Sequence, residues 1–205
     1  MALLVSWRFN FLMILEALIT SLNEDGTANV APMGPRVEPG FRAFVLRPFK
    51  TATTYRNLKR HPEGVLHVTD DALMIARAAI GLDPLAETVA AEVVRGRVIA
   101  SACRYHEFRA TGFDDREERA TIACEVVRSG VLREFFGFNR AKHAVVEAAI
   151  LATRVGIVPM DEIAEEFRRL RSPVQKTGGP DELAAFALLA AHVEAEARRL
   201  GSPIA

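Results

Sequence analysis

The apolar positions of this chain change their period part-way along it. Through the first two-thirds they come in short alternating or β-branched runs, and from residue 139 they recur every three or four residues. Residues 14–22 (ILEALITSL) predict a first strand. Asn23-Glu24-Asp25-Gly26 predicts a hairpin turn, and TANVAPM at 27–33 the return strand. Gly34, Pro35, Pro39 and Gly40 mark a loop before a third strand at 41–49 (FRAFVLRPF), which Pro48 should end because proline cannot donate to a ladder. A short helix follows at 51–64: threonines can cap it, Arg56, Lys59 and Arg60 suit its end, and Pro62 and Gly64 stop it. Residues 64–71 read as another strand. ALMIARAAIGL reads as a short helix closed by Gly81 and Pro84, and a poorly patterned segment comes next. Two long strands, at about 97–113 and 118–128, flank the charged turn Asp114-Asp115-Arg116-Glu117. In the second, Ala120, Ile122, Cys124 and Val126 share one face, with Thr121 and Glu125 on the other.

The helical part begins at Asn139, an N-cap candidate, and its first helix stops at Gly156. The next helix places Met160, Ile163, Ala164, Phe167 and Leu170 on one face, and Pro173 with Gly178-Gly179-Pro180 reads as a linker after it. The last helix starts at Asp181 and is expected to bury Leu183, Phe186, Ala190, Val193 and Ala197, with Arg198 and Arg199 suiting the dipole of its last turn. The expectation is an α+β chain: a mostly antiparallel β-domain with two short helices, then a helical subdomain. No internal repeat or low-complexity segment interrupts it.

Composition narrows this picture. Among 205 residues half are apolar and a quarter charged, which excludes a disordered chain. Lys plus Arg and Asp plus Glu both number 26, so no global charge drives binding to nucleic acid. Cys103 and Cys124 lack the spacing of zinc or thioredoxin motifs and read as buried free thiols. Arg8, Asn10 and Glu16 interrupt the apolar N-terminal run, so neither a membrane span nor a signal peptide is expected, and the expected location is cytoplasmic. Met13 is an alternative start, which would make residues 1–12 an extension.

The strongest chemical signal is FVLRPFKTATTYRNLKR at 44–60. Lys50, Thr51, Thr53 and Thr54 stand at a predicted helix start, where unpaired backbone N–H groups and partial positive charge favour an anion such as phosphate. Arg47 and Arg56 could add bidentate contacts. The plainer reading is simple capping with a solvated basic face. No Gly-rich nucleotide fingerprint is present. VAPMGPR at 30–36 exposes backbone N–H and C=O groups that a planar ring could lie against; otherwise it is an ordinary turn. His143 and Glu147 share a helix face, but no third ligand is evident, so a surface ion pair is expected and no metal. His67 and His106 stand alone in strands and read as structural. Lys176-Thr177-Gly178-Gly179 lacks the Ser-x-x-Lys partner of penicillin-recognising enzymes and reads as linker. No nucleophile elbow, Cys-His dyad or carboxylate pair appears. A phosphate seat with few catalytic acids suits a site where a cofactor carries the chemistry.

The run from ILEALITSLNEDGTANVAPMGP through FVLRPFKTATTYRNLKRHPEGVLHVTDD resembles the FMN-binding split-barrel superfamily, which includes flavin reductases and pyridoxamine-phosphate-oxidase-like proteins. RPFKTATTYRNL, ACRYHEF, GFNRAKHAVVEAAILATR and QKTGG are similar to the hallmarks of a small uncharacterised flavoprotein family best known from archaea, over residues 13–190. The resemblance implies a six-stranded, Greek-key-like split barrel over 13–136, a helical subdomain over 137–205, and a homodimer binding FMN near the subunit interface. It puts the phosphate on Lys50, Thr51, Thr53 and Thr54, and the ring near Met33, Gly34, Arg47, Pro48 and Phe49. Asn139 and Arg140 would help shape the cleft, against a reading as helix cap and surface arginine. The implied activity is an FMN-dependent oxidoreductase passing hydride or electrons from NADH or NADPH to a small-molecule acceptor. A pterin or other C1-carrier intermediate is one candidate acceptor. Competing readings are a non-catalytic flavin carrier, sensor or redox partner, and an interaction module that binds no cofactor and leaves an apolar face on 160–200. Deazaflavin or haem is the alternative ligand within the superfamily.

Overall fold

The computed structural model describes residues 13–38 and 40–201; the possible extension at 1–12 lies outside them. The chain first lays down β1 (Met13–Ile14), β2 (Ala17–Leu22), β3 (Ala28–Met33), β4 (Arg36–Val37) and β5 (Ala43–Leu46). Helix α1 (Thr53–Arg60), β6 (Glu63–Val68) and helix α2 (Ala72–Ala79) follow. Next come β7 (Thr88–Ala90), β8 (Arg97–Ile99), β9 (Arg104–Asp114) and β10 (Thr121–Val131), and then α3 (Arg140–Ala152), α4 (Met160–Thr177) and α5 (Pro180–Arg199). Eight strands form one antiparallel sheet in the order β1-β4-β5-β10-β9-β6-β2-β3, while β7 and β8 pair separately. Six of the eight have four or more residues, and β1 and β4 are two-residue additions at one edge.

The first hairpin forms as its turn residues require. Gly26 sits at φ +83, where a side chain would be strained, and Asp25 Oδ1 accepts the Thr27 N–H. Register shifts in β10 between Ala123/Cys124 and Val126/Arg128 bend the long β9–β10 hairpin and help the sheet curl. The concave side closes over Phe44, Leu46, Leu58, Leu66, Phe108 and Ile122, all fully buried. Both cysteines are buried and free.

A second core belongs to the helices. Ala72 and Ala76 of α2 join Ala141, Val145 and Ala148 of α3, Ile163 of α4, and Phe186, Leu189 and Val193 of α5. Helix α2 also turns Met74 and Ile75 toward Leu18 of the sheet, so it serves both cores. Among the described residues, no helix is long and apolar enough to cross a membrane.

Three local expectations need correction. The strand read as 97–113 is two strands, because the chain leaves the ribbon at a turn closed by Ala102 N–H to Ile99 O. There the Ile99 N–H is bonded by the buried His67 Nε2 and not by another strand. Pro173 does not end α4, which continues to Thr177. The Thr177 hydroxyl donates to Pro173 O and the Gly178 N–H to Val174 O, closing that last turn. In α5 the buried line is Glu182, Ala185, Phe186, Leu189, Val193 and Ala197; Leu183 is 45% exposed and Ala190 only half-buried.

Candidate functional site

Where β3 ends and β5 gives way to α1, the sheet edge and α3 enclose a cleft of about 490 Å³. Met33 and Gly34 come from the end of β3, and Arg47, Pro48 and Phe49 from the stretch after β5. Ala52 and Thr54 come from the start of α1, and Ile150, Thr153 and Arg154 from the end of α3 and just beyond. Pro48–Lys50 is held in place by backbone pairing with the turn before β10: Ala120 N–H donates to Pro48 O, and Lys50 N–H to Glu118 O. That pairing brings Arg119 against Phe49, its guanidinium 4.1 Å from the ring centre, and both line the cleft.

The start of α1 is open in the chemical sense. Ala52 is its N-cap and supplies no side-chain bond to the first turn, so the expected threonine capping does not occur. The Thr53 hydroxyl instead accepts from Arg56, and the buried Thr54 hydroxyl accepts from Asn29 Nδ2 at 3.1 Å. Thr54 lines the cleft and also a neighbouring depression that Thr53 shares.

Charge at the cleft is mostly positive. Arg47, Arg119 and Arg154 line it, with Glu16 as the acid on its wall. Arg47 reaches Glu117 with one terminal nitrogen, at 3.0 Å, but its Nε is buried with no hydrogen-bond partner. A buried donor without an acceptor is costly, and an anionic or carbonyl-bearing ligand would relieve it. Gly34 is tightly packed: a Cβ there would come within 2.9 Å of Ile14 Cγ2. Bare backbone thus forms that part of the wall.

The structure therefore gathers Met33, Gly34, Arg47, Pro48, Phe49 and Thr54 on one cleft, with Thr53 beside it. Lys50 and Thr51 are exposed and lie off its lining, and Lys50 Nζ donates to Asp115 O. Asn139 is spent as the N-cap of α3: Oδ1 accepts from Ala141 and Lys142 N–H, and Nδ2 donates to Thr177 O. It lines an adjoining chamber and not the cleft; Arg140 is exposed and lines neither. Sequence reasoning missed Arg119, Arg154 and Glu16. Arg119 reaches the cleft only through the Phe49–Arg119 bridge, which no local pattern announces. Arg154 closes the run GFNRAKHAVVEAAILATR, the one signal that could have flagged it.

The adjoining chamber, about 390 Å³, shares Ile14, Glu16, Ile75 and Val146 with the cleft. His143 and Glu147 both line it. Among the described residues no three His, Cys, Asp or Glu side chains are grouped as metal ligands. The Asp70 carboxylate at its edge takes Arg133 on both oxygens, at 2.5 and 3.2 Å, and the Phe136 N–H. The Arg133 hydrogen bonds hold the Asp70 carboxyl well down, at about 2.

Comparison with known proteins gives the family and the fold. Residues 15–133 match the family described as "Protein of unknown function (DUF447) N-terminal domain", and residues 139–191 match "Protein of unknown function (DUF447)". The chain belongs to the DUF447 family. Among solved structures, the FMN-bound DUF447 protein MM1853 from Methanosarcina mazei superposes with a TM-score of 0.75 at 22% identity, over 88% of this chain and 95% of that one. Nitrilotriacetate monooxygenase component B from Bacillus cereus gives 0.51 at 19% identity, over 60% of this chain and 71% of its own. The flavin reductase HpaC, solved with NADP+, gives 0.52 at 13% identity, over 61% and 82%. The fold of this DUF447 chain is thus that of the FMN-binding split barrels with added C-terminal helices. No curated protein matches the chain.

Proposed function

We propose that this protein binds FMN in the cleft between the β3 and β5 ends and α3, and acts as an oxidoreductase. The observation that carries the reading is the wall itself. A bare Gly34 backbone, the Arg47 guanidinium with its buried, unpartnered Nε, and the uncapped start of α1 meet on one cleft. The N–H groups of the first turn of α1, with the Thr53 and Thr54 hydroxyls, suit a phosphate. Arg47 and Arg119 would supply positive charge beside the ring. Arg154 reaches the same ligand from the helical subdomain, over 137–205, which on this reading closes the site that the barrel, over 13–136, opens. FMN would supply hydride or electron transfer, with NADH or NADPH as donor and a small organic molecule as acceptor; these residues hold, orient and polarise.

The FMN-bound relative and the NADP+-bound flavin reductase of the same fold support this reading. A homodimer is part of the proposal. Phe135, Phe136 and Phe138 are 48%, 77% and 92% exposed on one short segment, an apolar surface suited to burial against a second copy. Light scattering on the purified protein reads the assembly directly. The deciding experiment is a visible spectrum with released ligand identified by mass, then anaerobic addition of NADH or NADPH. Bound FMN that bleaches on addition supports an oxidoreductase. FMN that stays oxidised points to a carrier, and refusal of added FMN overturns the reading.

A further inference from the structure

The chamber beside the cleft differs from it in charge. Its walls are largely apolar and include Ile75, Val146, Phe135 and Phe138. Most of its polar groups are already engaged. Asp70 is bonded to Arg133 and the Phe136 N–H. Lys142 Nζ donates to Asp70 O and to Glu182, both at 2.8 Å. Asn139 uses both ends of its amide as a cap. The side chains left over are Glu16, Glu147 and His143, which make no ion pair or side-chain hydrogen bond among the described residues; the His143 ring packs edge-on to Phe138.

We propose that this chamber receives the flavin's reaction partner and selects a planar organic cation. The inference rests on the proposed flavin occupying the adjoining cleft. Cleft and chamber adjoin at the shared residues Ile14, Glu16, Ile75 and Val146. Arg47, Arg119 and Arg154 make the cleft end basic, Glu16 stands where cleft and chamber meet, and Glu147 lines the chamber end, where Lys142 is already paired with Glu182. Such a gradient favours the anionic ligand at the arginine end and repels it from the carboxylate end. An apolar chamber of this size with two uncommitted carboxylates and flanking phenylalanine rings offers what a flat cation needs: apolar contact, aromatic faces and countercharge. Partial burial first, and the neighbouring Glu147 second, hold the Glu16 carboxyl above its usual range. A cation between them would offset the repulsion from Glu147 and supply the countercharge that solvent no longer gives.

Calorimetric titration of the full-length protein with benzamidinium, benzamide and benzoate tests the proposal. These three probes share a ring and differ in charge. Benzamidinium is expected to bind at least about tenfold more tightly than benzamide, with benzoate weakest. In the Glu16→Gln/Glu147→Gln double variant that preference should disappear while benzamide binding stays as it was. Neither side chain makes an ion pair or hydrogen bond among the described residues and neither is in a hydrophobic core, so the fold should tolerate the change. Equal binding of the three probes, no saturable binding of benzamidinium, or a preference that survives in the double variant would each overturn the proposal. The titrations are run on flavin-free protein and repeated after FMN addition. Charge selectivity without FMN uptake would remove the flavin reading and leave a cation site; FMN uptake without selectivity would remove only this inference.

Discussion

Thr53 and Thr54 sit side by side but do different things. Thr53 is partly exposed and holds Arg56, whereas Thr54 is 2% exposed, accepts from Asn29 and faces the cleft. If the start of α1 seats a phosphate, Thr53→Ala with Thr54→Ala should weaken FMN at least tenfold, or about 1.4 kcal/mol, the scale of one charge-assisted hydrogen bond. Unchanged affinity in a flavin-fluorescence titration would move the phosphate elsewhere. His67 carries a second prediction. It is fully buried, its Nδ1 lies 3.2 Å from Leu18 O, and its Nε2 accepts the Ile99 N–H, so the ring is neutral in the fold. Burial lowers its pKa from 6.5 to about 4. The unfolded chain therefore takes up the proton first as pH falls. The stability His67 confers is fully present above its unfolded pKa and is lost as pH drops through 6.5 toward about 4. A shift of that size corresponds to about 3 kcal/mol. Urea midpoints between neutral pH and the acid limb should fall more steeply for the wild type than for His67→Gln; parallel curves would show that His67 does not titrate in this way.

Elements with strong local periodicity were legible from sequence, and those fixed by long-range contacts were not. The first hairpin, α1 through α3 and the β9–β10 pair follow from turn residues and spacing alone. The break between β8 and β9 depends on His67 reaching Ile99 across 32 residues, which alternation cannot reveal. In α5 the expected Phe186, Val193 and Ala197 are buried, but Leu183 is not, although by residue type it looks more buriable than Glu182. Yet Glu182 is pulled inward by Lys142 and by the Gly179 N–H, its carboxyl held low chiefly against its own burial by the Lys142 bond. The same contrast marks the site: the β3 end and the loop before α1 were readable, but Arg119, Arg154 and Glu16 arrive through tertiary packing. Gly64 shows how a residue type can be noticed for another reason. It reads as a helix stop, but it lies inside β6, where an added Cβ would meet Thr20 O at 2.7 Å and Phe108 Cζ at 2.8 Å. Backbone on one side and a buried ring on the other leave little room to adjust. Gly64→Ala should lower stability by about 1–3 kcal/mol, the range for overpacking, seen as a lower urea midpoint with an unchanged slope. A midpoint equal to wild type would show that β2 and β6 can part at no cost.

At the scale of the whole molecule, two cores must be held in register for barrel and helices to share one cleft. Helix α2 contributes apolar contacts to both. The polar link is a chain of side-chain and backbone hydrogen bonds. Asp70, after β6, holds Arg133 and the Phe136 N–H beyond β10; Lys142 of α3 bonds Asp70 O and Glu182 of α5; Glu182 in turn takes the Gly179 N–H. Asp70 is 8% exposed and Arg133 more open, so Asp70→Asn should cost about 1–3 kcal/mol, below the full penalty of breaking a deeply buried pair. The loss should also be local. Amides of the segment after β10 that the carboxylate anchors, from Arg133 to the first turn of α3, should exchange faster, while those of β9 and β10 keep their protection, because the barrel core does not use this link and the Lys142 bond to the backbone oxygen of Asp70 stays in place. Uniform loss of protection would mean the two cores unfold as one unit, and no change would mean that α2 and the Lys142 bond to the Asp70 backbone suffice. The acid behaviour supplies an independent check. With its folded pKa near 2 and an ordinary value of 3.8, Asp70 contributes stability that is present above the ordinary carboxylate range and lost as pH falls through about 2. In Asp70→Asn that part of the acid sensitivity should vanish. FMN affinity measured on the same variant then asks whether Arg154 still reaches the cleft. A weaker flavin site together with faster exchange in α3 would tie cofactor binding to the docking of the helices, and intact affinity would assign the phosphate and ring contacts to the barrel alone.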